Sequence, residues 1–251
     1  MKTDIADIHK FYDSRLGKIA QRYISRHIAC FWPDTVNDVV VGYGYPLPYI
    51  EQYKSCAERV LVMMPCFQGA VPWPEENANL VALTQADYLP LQDHSVNRLL
   101  IVHGLEHSEN PAQLLRESWR ILVDGGCALI VVPNRQGLWA RNPLTPFGVG
   151  EPYSGRQLYE LIEESLFTPS KVLYGLFTPP TQWKAILRAA ETLEHMGSTW
   201  ANKIGGVTLI EARKQAVSFI RECPRRKPWR SRIFIPTPSS HQAPASLVTT
   251  L

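Results

Sequence analysis

Three groups of residues have types and spacings that could do chemistry. The first is His103-Gly104-Leu105-Glu106-His107. Two imidazoles and a carboxylate within five residues can take up and release protons near neutral pH. The same letters fit H-x-x-E-H, in which two histidines hold zinc and the glutamate is the base. That pattern requires a helix, because only there do positions four apart share a face. Here it follows an apolar run of strand type and contains Gly104, which disfavours helix, so no metal is expected. The second group is Gly42-Tyr43-Gly44-Tyr45-Pro46. Glycine at a strand end lets the backbone approach a ligand, and a following helix N-terminus favours a negative group. A structural turn explains these letters equally well. The third is Asp87, within Ala86-Asp87-Tyr88-Leu89-Pro90-Leu91. An acid just past a strand end can accept hydrogen bonds from an exocyclic amine such as the N6 of adenine, or it can cap local backbone.

The elements that must position these residues are short apolar runs. Val39–Val41 leads into Gly42, Val60–Met64 into Pro65, and Leu80–Leu83 precedes Asp87. Leu99–Val102 leads into His103, and Ala128–Val132 into Pro133. Runs of this kind suit strands buried on both faces of a parallel sheet. Between the fourth and fifth runs, Pro111–Leu122 has helical periodicity, with Pro111 in the first turn and Asp124-Gly125-Gly126 as its stop. Strand, helix, turn and strand make a right-handed crossover unit, and repetition gives an open α/β sheet with helices on both faces. In such sheets ligands bind beyond the carboxyl ends of the strands. Ser14 can cap a helix carrying Leu16, Ile19, Tyr23 and Ile24, and Trp32-Pro33 ends it. Ser154 caps another helix, residues 181–196 read as one helix, and two further strands are expected at 172–174 and 207–210. The chain thus divides into a helical segment at 1–33, an α/β domain at 34–220 and a tail at 221–251.

Composition narrows the function classes. The 251 residues carry a formal charge of +3. Residues 221–251 hold six bases and one acid, so residues 1–220 carry a net −2. A nearly neutral body argues against a surface that grips nucleic acid throughout, although the basic tail could contact RNA or another anionic partner. No apolar run approaches the roughly 18 residues of a membrane span. The first fifteen residues have no apolar core, so a cytoplasmic protein is expected. The five cysteines form no C-x-x-C pair. Three of them adjoin apolar runs and are expected to behave as small buried hydrophobes.

The string from Ala86 to Asn134 is similar to class I S-adenosylmethionine-dependent methyltransferases of the type 11 family. The matching features are D-x-LPL after the third run, the fourth run, LEH, a helix holding LLRE and RIL, the DGG turn and a fifth run ending in PN. With Gly42-Tyr43-Gly44 the resemblance spans roughly residues 36–167, and TPFGVGEPYSGRQL at 145–158 resembles a bacterial branch of that family. It implies a Rossmann-like, seven-stranded α/β sheet, mostly parallel, with an antiparallel last strand. It implies S-adenosylmethionine as cofactor, with Gly42, Tyr43 and Gly44 beneath its methionine portion. Asp87 would face the adenine amine, with Tyr88 and Leu89 beside the ring. His103, Gly104 and Leu105 would line the transfer site.

The sequence also departs from the family. An acid two residues before the first glycine is replaced by Val40, and the third glycine by Pro46. The second strand usually ends in an acid that holds the ribose hydroxyls; here Met64 stands at that end of the cofactor site. Such a contact contributes on the order of 1.5–3 kcal/mol. Gln68, Glu75 or Glu76 could substitute. Trp139, Arg141, Phe147, Tyr153 and Trp183 follow the fifth run, and Phe147-Gly148-Val149-Gly150 reads as a lid. Methyl transfer to a small-molecule acceptor is the expected activity, with His103, and then Glu106 or His107, as candidate base. The other reading is a non-catalytic binding or assembly protein that retains the fold.

Overall fold

The computed structural model describes residues 4–215 except 75, 77, 86 and 201. The expectations for the basic tail, Glu75 and Cys223 therefore lie outside the described residues. The chain opens with two helices, α1 (Ile5–Asp13) and α2 (Arg15–Phe31). Asp4 caps α1 through the Ala6 amide, and Ser14 caps α2 through the Gly17 amide. On α1 the buried residues are Ile5, Ile8 and Tyr12, spaced to share one face.

The sheet comprises β1 (Val39–Gly44), β2 (Arg59–Pro65), β3 (Val81–Thr84), β4 (Val96–Val102), β5 (Leu122–Pro133), β6 (Phe167–Gly175) and β7 (Val207–Lys214). Its order is β3-β2-β1-β4-β5-β7-β6. The first five strands pair in parallel, and β7 runs antiparallel to both β5 and β6. This is the expected seven-stranded Rossmann-like sheet. Order reverses between β1 and β4, and adjacent residues there, such as Gly44 and Val102, are in register. The intervening helices are α3 (Leu47–Ile50), α4 (Pro111–Ile121), α5 (Gly155–Glu164), α6 (Lys184–Arg188) and α7 (Ala190–Trp200). One face of the sheet packs Val40, Val62 and Leu100 with Ile8, Ile24 and Ile50 of α1–α3. The other packs Val41, Leu99 and Ile130 with Leu114 and Leu115 of α4 and Leu158 and Ile162 of α5. No helix among the described residues is long and apolar enough to cross a membrane.

Several expectations change. β3 is the sheet edge, so Ala82 and Leu83 are exposed rather than sandwiched. Helix α4 ends at Ile121, and Asp124-Gly125-Gly126 lies within β5, with Gly125 at φ +78°. The single helix at 181–196 is two, broken at Ala189, and Trp183 projects into solvent. Of the four described cysteines only Cys127 is buried; Cys30, in the last turn of α2, and Cys56 and Cys66, in the turns before and after β2, are exposed.

Candidate functional site

The site lies beyond the carboxyl ends of β1–β4. Gly44 closes β1 at φ +87°, a region that L side chains rarely adopt. A Cβ there would lie 2.1 Å from the Val102 carbonyl oxygen, so the chain turns directly against the exit of β4. A Cβ on Gly104 would lie 2.7 Å from the Tyr43 ring. Thus Tyr43, Gly44 and Gly104 form one packed layer, whereas a Cβ on Gly42 would meet Pro46 and Ile50.

His103 leaves β4 at φ +51°, uncommon for a residue with a side chain. Its side chain is 0% exposed. Nδ1 lies 3.1 Å from Glu106 Oε1, and Nε2 lies 2.8 Å from the Tyr12 hydroxyl. As a carboxylate Glu106 can only accept, so Nδ1 carries the proton and Nε2 accepts from Tyr12. Tyr12 also bonds the Tyr49 hydroxyl at 2.8 Å and stacks on Tyr45, whose hydroxyl meets His9 Nδ1 at 2.7 Å. Burial holds the Tyr12 phenol well above its ordinary range, with Tyr49, Tyr45 and Glu106 adding to the shift. Phe147 packs on the imidazole at 4.7 Å and meets Phe11 and Trp139 edge-on. Of the segment 147–150 expected to form a lid, Phe147 is packed in the core and Gly150 is exposed. Gly150 sits against the Glu106 carbonyl and His107 ring, and the Glu151 amide bonds that carbonyl.

His107 is nearly buried, and burial lowers its pKa. The H-x-x-E-H letters lie on a strand exit and a 3-10 turn at 105–107, so the two histidines do not share a helix face. Among the described residues no three His, Cys, Asp or Glu are grouped to hold a metal ion.

A cleft of about 390 Å³ opens beside this layer, lined by Cys66, Phe67, Thr84, Gln85, Asp87, Glu109 and Asn110. Of the expected cofactor residues, Asp87 lines it. Tyr88 is exposed, whereas Met64 and Leu89 are fully buried. Within the layer, burial raises the Tyr43 phenol pKa, and the proximity of Cys66 and Asp87, which line the cleft, adds to that. The loop after Asp87 is clamped by α4. Glu117 accepts the Leu89 amide at 3.1 Å. Arg120 donates to the carbonyls of Leu89 and Leu91 at 2.8 and 2.9 Å and to Asp93 at 2.6 Å. This explains structurally why LPL and the helix holding LLRE and RIL occur together.

Six of the ten buried polar side-chain atoms without a partner among the described residues fall in the same region. Tyr43 Oη, Gln68 Oε1, Thr84 Oγ1, Glu106 Oε2, His107 Nε2 and Ser108 Oγ all belong to the ends of β1–β4 or to the turns that leave them. Gln68 donates its amide to the His103 carbonyl at 3.2 Å, which leaves Oε1 unused. A polar ligand would satisfy such atoms. Of the later candidates, Trp139 is buried in the core and bonds the Thr178 carbonyl. Tyr153 is half-buried with its phenol pushed up to about 12, while Arg141 and Trp183 are exposed.

Sequence reasoning missed Tyr12, Tyr45 and Tyr49 as part of this centre. A usable signal was present for Tyr12, a phenol on an apolar helix face whose hydroxyl must find a buried partner.

Residues 38–130 match the family model described as a methyltransferase domain. No curated protein matches the sequence. Among solved structures, the chain is similar to an S-adenosylmethionine-dependent methyltransferase of Thermotoga maritima, described as a possible histamine N-methyltransferase. The identity is 17%, with 84% of this chain and 96% of that one covered, at TM-score 0.60. It is also similar to a structure from Haloferax volcanii, a complex of the Trm112 methyltransferase activator with a protein designated a methyltransferase. There the identity is 16%, the coverage 83% and 98%, and the TM-score 0.56. A third similar structure is the [4+2]-cyclase SpnF, at 13% identity, 78% and 82% coverage and TM-score 0.52. At these identities the likeness concerns the fold.

Proposed function

Taking residues 38–130 as a class I methyltransferase domain of type 11, we propose that the protein transfers a methyl group from S-adenosylmethionine to a small-molecule acceptor. The observation that carries this reading is the strip of unpartnered buried polar atoms at the ends of β1–β4, adjoining the cleft of Asp87. The donor set fits a nucleoside. Asp87 would accept from the exocyclic amine, and Thr84 and Asn110 would offer further polar contacts. Gln68, through its unused Oε1, would take the ribose contact that Met64 cannot make. S-adenosylmethionine, when bound, supplies a methyl group already activated on a sulfonium, so the protein's task is mainly positioning.

The chain's own contribution to proton handling is the His103–Glu106 pair. Glu106 fixes the imidazole with Nε2 free to accept, and that nitrogen would take a proton from an acceptor that arrives protonated. Tyr12 now donates to the same atom, so acceptor access requires α1 to move. Glu106 Oε2 and His107 Nε2 would hydrogen-bond groups brought in by the ligand. The free thiols accord with a cytoplasmic setting.

Titration calorimetry of the full chain with S-adenosylmethionine and S-adenosylhomocysteine tests the reading. Micromolar binding supports it, and no heat at millimolar ligand overturns it. The second reading, a non-catalytic binding or assembly protein, draws on the full occupation of His103 by Tyr12 and Glu106 and on the missing acid at Met64. The acceptor is sought by comparing metabolites of a deletion strain for a species lighter by one methyl group.

A further inference from the structure

Five of the eleven exposed large apolar side chains among the described residues lie in the segments 138–144 and 183–204. Leu144 is 88% exposed and Trp183 73%, and Leu138, Met196 and Ile204 are each more than half exposed. They lie on two segments that hydrogen bonds tie together. Leu138, Met196 and Ile204 line a groove of about 450 Å³ whose walls are largely apolar. Leu144 shares a second cleft with Gln182, the neighbour of Trp183. Two hydrogen bonds join the 138–144 loop to the 178–182 segment: Trp139 Nε1 to the Thr178 carbonyl at 2.8 Å, and Asn142 Nδ2 to the Pro180 carbonyl at 3.1 Å. Both segments are therefore held in place, with their apolar side chains outward.

The charge on these segments is mostly positive. Arg135, Arg141, Lys184, Arg188 and Lys203 are exposed, and none pairs with a carboxylate among the described residues. Of the two acids of the same segments, Glu194 is engaged and Glu191 stays exposed. Glu194 is buried and accepts from Thr178, and Glu191 lies 4.0 Å from Arg26. Exposed Leu, Met, Ile and Trp among unpaired bases suit an interface of acyl chains beneath anionic headgroups. A second copy of the chain would bring five bases against five bases. A nucleic acid would satisfy the bases but not the aliphatic groups.

We infer that this surface docks on an anionic lipid membrane, seating Leu144 and Trp183 at the headgroup boundary. The second cleft, whose lining includes Asp7, Lys10, Phe11, Leu144 and Gln182, then opens at that boundary. The inference does not depend on methyl transfer, since it rests on the surface alone.

Co-sedimentation of the full chain with phosphatidylcholine vesicles, with and without phosphatidylglycerol, tests it. The chain binds the anionic vesicles and releases with rising salt. The double variant Leu144→Ser, Trp183→Ser lowers partition roughly tenfold or more. Arg141→Gln and Lys184→Gln each lower it about fivefold. Unchanged thermal melts show that these exposed substitutions leave the fold intact. Three results overturn the inference. One is no binding to either vesicle. Another is binding lost on Arg225→Gln, Arg226→Gln, Lys227→Gln but insensitive to the surface variants. The third is a dimer that the Leu144/Trp183 variant dissociates while vesicles are not bound.

Discussion

The hydroxyl of Tyr12, on the N-terminal helix, lies 2.8 Å from Nε2 of His103, at the exit of the fourth strand. This one contact joins a helix outside the matched domain to the centre of the candidate site. It also fixes which imidazole nitrogen can accept a proton, because Glu106 holds the other.

Replacing Tyr12 by Phe removes a buried hydroxyl and leaves both His103 Nε2 and the Tyr49 hydroxyl short of a partner. A loss of about 1–3 kcal/mol is expected, measured by urea unfolding. A cycle with His103→Leu should give a coupling of about 0.5–3 kcal/mol. Additive losses would show that the two side chains do not act together.

Asp87 is exposed on the cleft rim, so Asp87→Asn should melt at the temperature of the unchanged protein. Its effect belongs to the ligand. Loss of a charged hydrogen bond of about 1.5–3 kcal/mol corresponds to a drop of roughly ten- to a hundredfold in affinity for S-adenosylmethionine. Equal calorimetric affinities would remove Asp87 from the binding surface.

Arg120 touches no ligand, yet it holds the loop that follows Asp87. Arg120→Lys cannot span the carbonyls of Leu89 and Leu91, Asp93 and Glu117 at once. Stability should fall by about 1–2 kcal/mol, and hydrogen exchange at residues 88–93 should quicken. Protection unchanged in that loop would contradict the clamp.

The pH response should come from buried imidazoles. Burial lowers the pKa of His107 and of His27 below the ordinary 6.5, so folding disfavours their charged forms. The unfolded chain then binds more protons, and stability rises with pH. The native fold holds this contribution above pH 6.5 and loses it as pH falls through the depressed folded values. His107→Gln should flatten the dependence of the unfolding free energy between neutral pH and mildly acidic pH. The same slope in both proteins would exclude His107 as a source.

The linear order of residues determined the sheet. The runs ending in Gly42, Pro65, His103 and Pro133 are uninterrupted and apolar, and strands buried on both faces allow little else. Asp87, Gly44 and His103 were legible because strand ends in such a sheet gather on one edge. The edge position of β3 and the exposure of Leu83 were not legible, since a run of four residues does not state how many neighbours it has. The break at Ala189 was equally hidden, because apolar spacing continues across it. Only the tertiary structure decided that Tyr12 fills the space above His103. Ninety-one residues separate the two in sequence. No local preference links them; their meeting is set by how α1 packs on the sheet, and a buried phenol and a buried imidazole then had to satisfy each other.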